Sequence, residues 1–384
     1  MSAARQLILR NSQSPGDVLM LSAAVRDLHG QHPGVFATAL ATSAGAIWEN
    51  NPFVSAAVEG AEEMVCEYPL IHKSNTGPWH FIHAFHQFLG ERLGVRVEPT
   101  EFRGDIHLSK REKSWMSQVQ ESTKMAVPFW IVVAGGKFDF TAKWWDVARW
   151  QAVVDHFAGR ILFVQVGESG HHHPGLRGVL DLRGKTDLRQ FIRLMHHAQG
   201  VVCPVTFAMH LAAAVEVRGK CAAYPRGMPK NRPCVLVAGG REPAQWEAYP
   251  HHQYIHMNGA LRCCDNGGCW KSRVVALGDG DKKDESLCVD VVELATGLRK
   301  PGKEWGRGND PDVSVTNDEN SPREAPDKLS ALNFQLSTQY LPRCLDMISA
   351  EEVIRRVELY FNGGAIDYLT PEQAAAVAGC VLIR

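Results

Sequence analysis

No stretch of this 384-residue chain holds the roughly 18 consecutive apolar residues that a membrane-spanning helix needs. Neither charge dominates: 41 Lys and Arg stand against 42 Asp and Glu, a net charge of −1. The chain therefore lacks the basic footprint of a protein that follows nucleic acid phosphates. Its opening segment, MSAARQLILRNSQSPGD, has neither the apolar h-region nor the small-residue cleavage site of a secretory signal. The expected location is the cytoplasm, with membrane contact at most peripheral. Cysteine is not scarce, at ten residues, but the regular spacing of a double CxxC site is missing. In a cytoplasmic chain such cysteines are read as thiols or metal ligands before disulfides. What is present, 45% hydrophobic and 22% charged residues, describes a globular protein long enough for two domains.

Apolar patterning divides the chain into two successive α/β units. The first opens with the strand QLILR (residues 6–10) and an amphipathic helix from residue 18. Strands are expected at residues 35–41 and 95–97, and helices at 78–89 and 110–124. The second opens with the continuous apolar run of residues 128–136, PFWIVVAGG. Helices at 144–157, 187–199 and 208–217 then alternate with strands at 160–166, 201–205 and 220–224. Such alternation predicts parallel, doubly wound sheets. The boundary is placed near residue 124, giving a first domain of residues 1–124 and a second of 125–384, with ligands expected where strand carboxyl ends face a cleft.

Four strand-to-helix turns carry the polar groups of interest. In the first, Gly16 and Asp17 sit between the opening strand and its helix, where a carboxylate is favoured by the helix dipole. From local pattern alone Asp17 is either a helix-capping residue or a general base. In the second, GGKFDFTAKWW (residues 135–145) joins glycines, Thr141 and two lysines, a loop that is either solvated or an anion site, with no Walker spacing. The third, CPVTFAMHL (residues 203–211), places Thr206 as a helix cap whose first-turn amides, with Met209 and His210 beyond, face a ligand. The fourth, VAGGREP (residues 237–243), ends a strand at Gly240 and Arg241. Three such loops in one half point to a phosphorylated ligand. His80, His83 and His86 share a helical face but are interleaved with phenylalanines, which reads as packing.

In order and spacing, SPGDVLMLSAAVRDLHGQHPG, TAKWWDVARWQAVVDHF, GKTDLRQFIRLMHHAQGVVCPVTFAMHLAAAVE and AGGREP resemble glycosyltransferase family 9, the ADP-heptose-dependent heptosyltransferases and their relatives, from about residue 6 to 243. The resemblance implies a GT-B architecture: two Rossmann-like, doubly wound domains facing a cleft, the acceptor held mainly by the first and a nucleotide-sugar donor by the second. It implies a single inverting displacement that needs no catalytic metal. Asp17 then matches the general base, Lys143 the lysine on the donor diphosphate, and Thr141, Thr206, Met209 and His210 the phosphate-facing turns. Glu168, in VQVGESG, falls near the acidic residue that holds the nucleoside, or else lies in an exposed polar loop. One departure stands out: the family's Asp-Thr-Gly before MHL is replaced by Val205-Thr206-Phe207, which cannot hydrogen-bond the donor sugar in the same way. The implied donor is ADP-heptose or another nucleotide sugar. The acceptor hydroxyl belongs to a glycan, a protein or a small molecule. A sugar-nucleotide epimerase, or a non-catalytic binding protein, would share the same frame.

The cysteine-rich stretch LRCCDNGGCW (residues 261–270), with Cys288 and Cys344, suggests an insertion over residues 261–345 that holds zinc or iron through Cys264, Cys269, Cys288 and Cys344, with Cys263 able to replace Cys264. It loosely resembles the cysteine-ligated insertion of a protein-modifying branch of the same relatives. Residues 296–327, rich in Pro, Gly and charge, read as a mobile insertion. Two helices are expected near the end, at 349–361 and from the Thr370-Pro371 cap, one of which returns to the first domain.

Overall fold

The structure, a computed structural model, describes residues 3–68, 70–218, 232–294 and 337–381. The expected strand at 220–224 and the expected insertion at 296–327 lie outside the described residues.

Two parallel sheets carry the fold. In the first, β1 (Arg5–Asn11) lies between β2 (Phe36–Thr42) and β3 (Glu62–Val65), giving the order β2-β1-β3. Helix α1 (Pro15–Gln31) follows β1 and packs beside α2 (Ile82–Leu93). The second sheet has β4 (Phe129–Val132), β5 (Leu162–Gln165), β6 (Leu180–Asp181), β7 (Gly200–Pro204), β8 (Cys234–Gly239) and β9 (His252–His256), in the order β6-β5-β4-β7-β8-β9. Every pairing in it is parallel. Counted from β4, this is the doubly wound order 3-2-1-4-5-6, whose direction reverses between β4 and β7.

The apolar runs are continuous because both faces of the second sheet are covered. Phe129, Ile131 and Val133 face one core, shared with α1, α2 and the first sheet. Trp130, Val132 and Ala134 face another, closed by α5 (Val147–His156) and α10 (Ala350–Asn362). Helices α3 (Lys110–Ser114) and α4 (Gln118–Thr123) precede α5; α6 (Leu188–His197), α7 (Phe207–Ala214) and α8 (Ala244–Glu247) follow it. Then come β10 (Val291–Glu293), β11 (Tyr340–Pro342), α9 (Arg343–Asp346), α10 and α11 (Pro371–Val381).

Three local expectations change. The helix expected over 110–124 is broken into α3 and α4, because Ser109 and Ser117 each cap a new start. The apolar residues at 95–97 form no strand: Gly94 ends α2 with φ 69°, and the Val95 amide bonds back to the Gly90 carbonyl. Strands β3, β6, β9, β10 and β11 are additional; β3, β6, β10 and β11 are short, and β9, HQYIH, has only one aliphatic residue to mark it. At the end of the chain, α11 packs on α4.

Candidate functional site

The site is built where α1 of the first sheet meets α7 of the second. Ser14, with extended backbone, is the N-cap of α1, and Asp17 lies in its first turn. Asp17 is therefore not the cap but sits among the amides that the cap leaves free. Burial raises its carboxyl to about 6, against the pull of its own and the Ser14 backbone N–H groups and the charges of Lys143 and Lys137. Gly16 is held against the second half: a Cβ there would stand 3.1 Å from the His210 ring. Lys137 Nζ donates to Ser14 Oγ at 3.0 Å, another tie across the interface.

The loop after β4 is shaped by Gly135, with φ +122° and so little room that a Cβ would collide with the His172 carbonyl oxygen. Lys143 ends this loop. Its Nζ lies 2.7 Å from Glu242 Oε1 and 3.3 Å from the Val205 carbonyl oxygen, over the Phe140 ring. Glu242 is 1% exposed. Burial alone would raise its carboxyl, but Arg241 and Lys143 outweigh it and hold the carboxyl below its ordinary range. Arg241 pairs with the same carboxylate, donates to the Lys271 carbonyl at 2.6 Å and lies between the Phe140 and Trp270 rings.

A second buried carboxyl, Glu247, is pushed up to about 8 by burial and by the neighbouring Glu242 and Asp17 charges. Its Oε2 is 3.6 Å from His210 Nε2. His210 Nδ1 is 2.7 Å from the Tyr249 hydroxyl, which in turn donates to Met20 Sδ of α1 at 3.2 Å. Burial, with the charges of His80, Lys143 and His252, depresses His210 to about 3, so its ring is neutral. An open cavity of about 620 Å³ lies beyond the carboxyl ends of β1 and β3, lined among others by Asn11, Gln13, Glu67, Tyr68 and His72.

Several expected ligand contacts are occupied otherwise. The Thr141 hydroxyl, 1% exposed, accepts the Val274 N–H, tying the lysine loop to the segment that follows the cysteine-rich stretch. Met209 is fully buried, and His210 links α7 to Met20 of α1 through the Tyr249 hydroxyl. Thr206 stands at the N-cap of α7, but its hydroxyl makes no capping bond and is buried with no hydrogen-bond partner among the described residues. Phe207 packs edge-on against Phe191, and Val205 meets Lys143 through its carbonyl. Gly240 is a packing glycine: a Cβ there would come within 2.9 Å of Cys264 Sγ. The Glu168 side chain is 72% exposed and pairs with His171 at 3.4 Å.

The cysteines of the expected metal centre lie near one another. Cys264 and Cys344 flank Gly240, and Cys263, Cys269 and Cys288 are near enough for their charges to influence one another. Yet the Cys264 thiol is turned to the Met257 carbonyl and that of Cys288 to the Asp290 carbonyl. Among the described residues no group of three His, Cys, Asp or Glu side chains is arranged to hold a metal. Lys137 is the other lysine of the expected anion loop, whereas Glu242, Glu247 and Tyr249 are neighbours that sequence reasoning misses. The signal for the acidic pair lies in REPAQWE, where charges follow a buried strand directly.

Residues 78–219 match the family model "Glycosyltransferase family 9 (heptosyltransferase)". No curated protein sequence matches the chain. Among solved structures, the iron-containing dodecameric glycosyltransferase TibC of enterotoxigenic E. coli is 16% identical over 94% of this chain and 77% of its own, with a TM-score of 0.52. The same protein has been solved in complex with ADP-D-beta-D-heptose. E. coli heptosyltransferase WaaC with ADP is 15% identical over 65% of this chain and 93% of its own, at a TM-score of 0.46. A family 9 glycosyl transferase from Veillonella parvula is 13% identical, over 74% of this chain and 94% of its own, at 0.48. The chain is thus similar in sequence to glycosyltransferase family 9 through residues 78–219, and its paired parallel sheets have the GT-B fold.

Proposed function

We propose that the chain is an inverting glycosyltransferase that moves a sugar from a nucleoside diphosphate sugar to an acceptor hydroxyl. The observation that carries this reading is the placement of Asp17, a carboxylate raised to about 6, across the domain interface from the Lys137 to Lys143 loop. A carboxylate with that value is still mostly ionised at neutral pH and is a stronger base than an exposed one. Asp17 takes the proton of the acceptor hydroxyl as its oxygen attacks the anomeric carbon. The bond to the diphosphate breaks on the opposite face, the nucleoside diphosphate leaves with the electron pair, and the configuration inverts. Positive charge from the loop stabilises the leaving group as its charge grows.

The cavity at the carboxyl ends of β1 and β3, lined from Asn11 to Gln13 in the segment that leads to α1, is the place proposed for the acceptor. ADP-heptose is the leading donor on the likeness to TibC, while Val205 and Phe207 remove the side chain that the family uses on the sugar hydroxyls. The reading is tested by thermal stabilisation with a panel of ADP, UDP and GDP sugars, since a ligand at 100 times its Kd adds about 2.7 kcal/mol to the folded state. An ADP sugar is expected to raise Tm and to glycosylate an acceptor. Release of an isomerised nucleotide sugar with no acceptor consumed would instead establish an epimerase.

A further inference from the structure

The transferase reading gives the donor diphosphate to Lys143, yet that cation shares a buried carboxylate with a second cation. Its ammonium is bound by Glu242 and the Val205 carbonyl, and Arg241 is paired to the same buried carboxylate and enclosed by two rings. Lys137 is placed differently. It leaves the carboxyl end of β4, beside the reversal of strand order, where open parallel sheets take their ligands. Gly135 bends the backbone just before it. Its Nζ meets a neutral oxygen, Ser14 Oγ at 3.0 Å, and among the described residues no carboxylate lies within ion-pair distance of it. Ser14 belongs to the other domain and stands three residues before Asp17.

We infer that Lys137 is a donor-binding residue whose ammonium contacts a phosphate oxygen of the nucleoside diphosphate while its charge is felt by Asp17. This assignment rests on the transferase reading. A diphosphate supplies the anionic partner that Lys137 lacks among the described residues, and a lysine that spans the interface joins donor binding to the position of the base. Charge developing on the diphosphate as the glycosidic bond breaks strengthens the contact at that moment. The groups facing Asp17 are Lys137 and Lys143 from the loop after β4, Glu247 from α8, neutral His210 from α7 and the amides of its own helix.

The test is calorimetric titration of the full chain with ADP, UDP and GDP, comparing wild type with Lys137→Met and Lys137→Arg. Melting curves establish that each variant is folded. Lys137→Met is expected to weaken the preferred nucleotide by about tenfold or more, and Lys137→Arg to keep most of the affinity. Because Lys137 lowers the Asp17 value, Lys137→Met also moves the acid limb of the kcat/KM profile to higher pH, a change that mere loosening of the loop does not produce. Binding by Lys137→Met within about twofold of wild type overturns the assignment and leaves the transferase reading standing. Failure of wild type to bind any of the three nucleotides overturns both.

Discussion

Asp17 and Glu247 are two carboxyl groups close enough to influence one another, and their surroundings set them to different tasks. Asp17, near 6, retains the amides of α1 and two lysines, whereas Glu247, near 8, has burial and two acidic neighbours against it. At neutral pH the first is mainly charged and the second mainly protonated. Asp17→Asn should therefore lower turnover by about 100-fold or more while donor affinity stays close to wild type, as measured by steady-state kinetics and calorimetry. In the wild type, kcat/KM should fall as pH drops through about 6, because the base must be ionised to accept a proton. Glu247 bears on stability with the opposite dependence. Its folded value exceeds its unfolded value of about 4.3, so the folded chain binds more protons between those limits and loses stability as pH rises toward about 8. Glu247→Gln does not titrate, so its Tm relative to wild type should climb from about pH 5 to about pH 8 and level off above. A constant difference across that range would show that Glu247 does not hold its proton.

At the level of elements, what is legible in the sequence is whatever has a strong period or a strong cap. The runs around β4, β7 and β8 announce strands buried on both faces, and SAEEVIRRVELYF announces α10, where the Ser349 hydroxyl caps the helix by accepting the Glu352 N–H. The loop after β4 is legible as a glycine turn leading to lysines, but not in the direction of its side chains. Gly135 fixes that direction, since its φ of +122° and the close approach of the His172 carbonyl oxygen admit no side chain. Gly135→Ala is expected to cost about 2 kcal/mol or more and to weaken nucleotide binding, read by denaturation and titration. Thr141 illustrates the limit: near Lys143 in sequence, it turns its hydroxyl to Val274, 133 residues away. No local pattern encodes that partner.

For the whole molecule, the interface between the two sheets is held by polar contacts as well as by the shared core. Arg189 of α6 reaches across to Glu112 at 2.6 Å and donates to the carbonyls of Ala46 and His107. Asn75 exchanges two hydrogen bonds with Gly268 and accepts a third from the Trp270 indole. Arg189→Met leaves Glu112 without its cation and should destabilise the chain by about 3 kcal/mol in denaturant unfolding. Adding Glu112→Gln should recover part of that loss, because the stranded charge is then removed.

The sequence by itself determined the two α/β units, the order of the polar turns and the position of Asp17 at a helix start, because periodicity, glycine turns and caps act over a few residues. Only the tertiary structure decided which charged groups are free. Glu242 pairs with both Lys143 and Arg241, Met209 and His210 serve as core and interface, and the Cys264 and Cys288 thiols turn toward separate carbonyls. Among the described residues Lys137, alone of these cations, reaches the Asp17 turn without a carboxylate partner. Burial and long-range pairing set the charge of a side chain, and both depend on neighbours that only folding brings together.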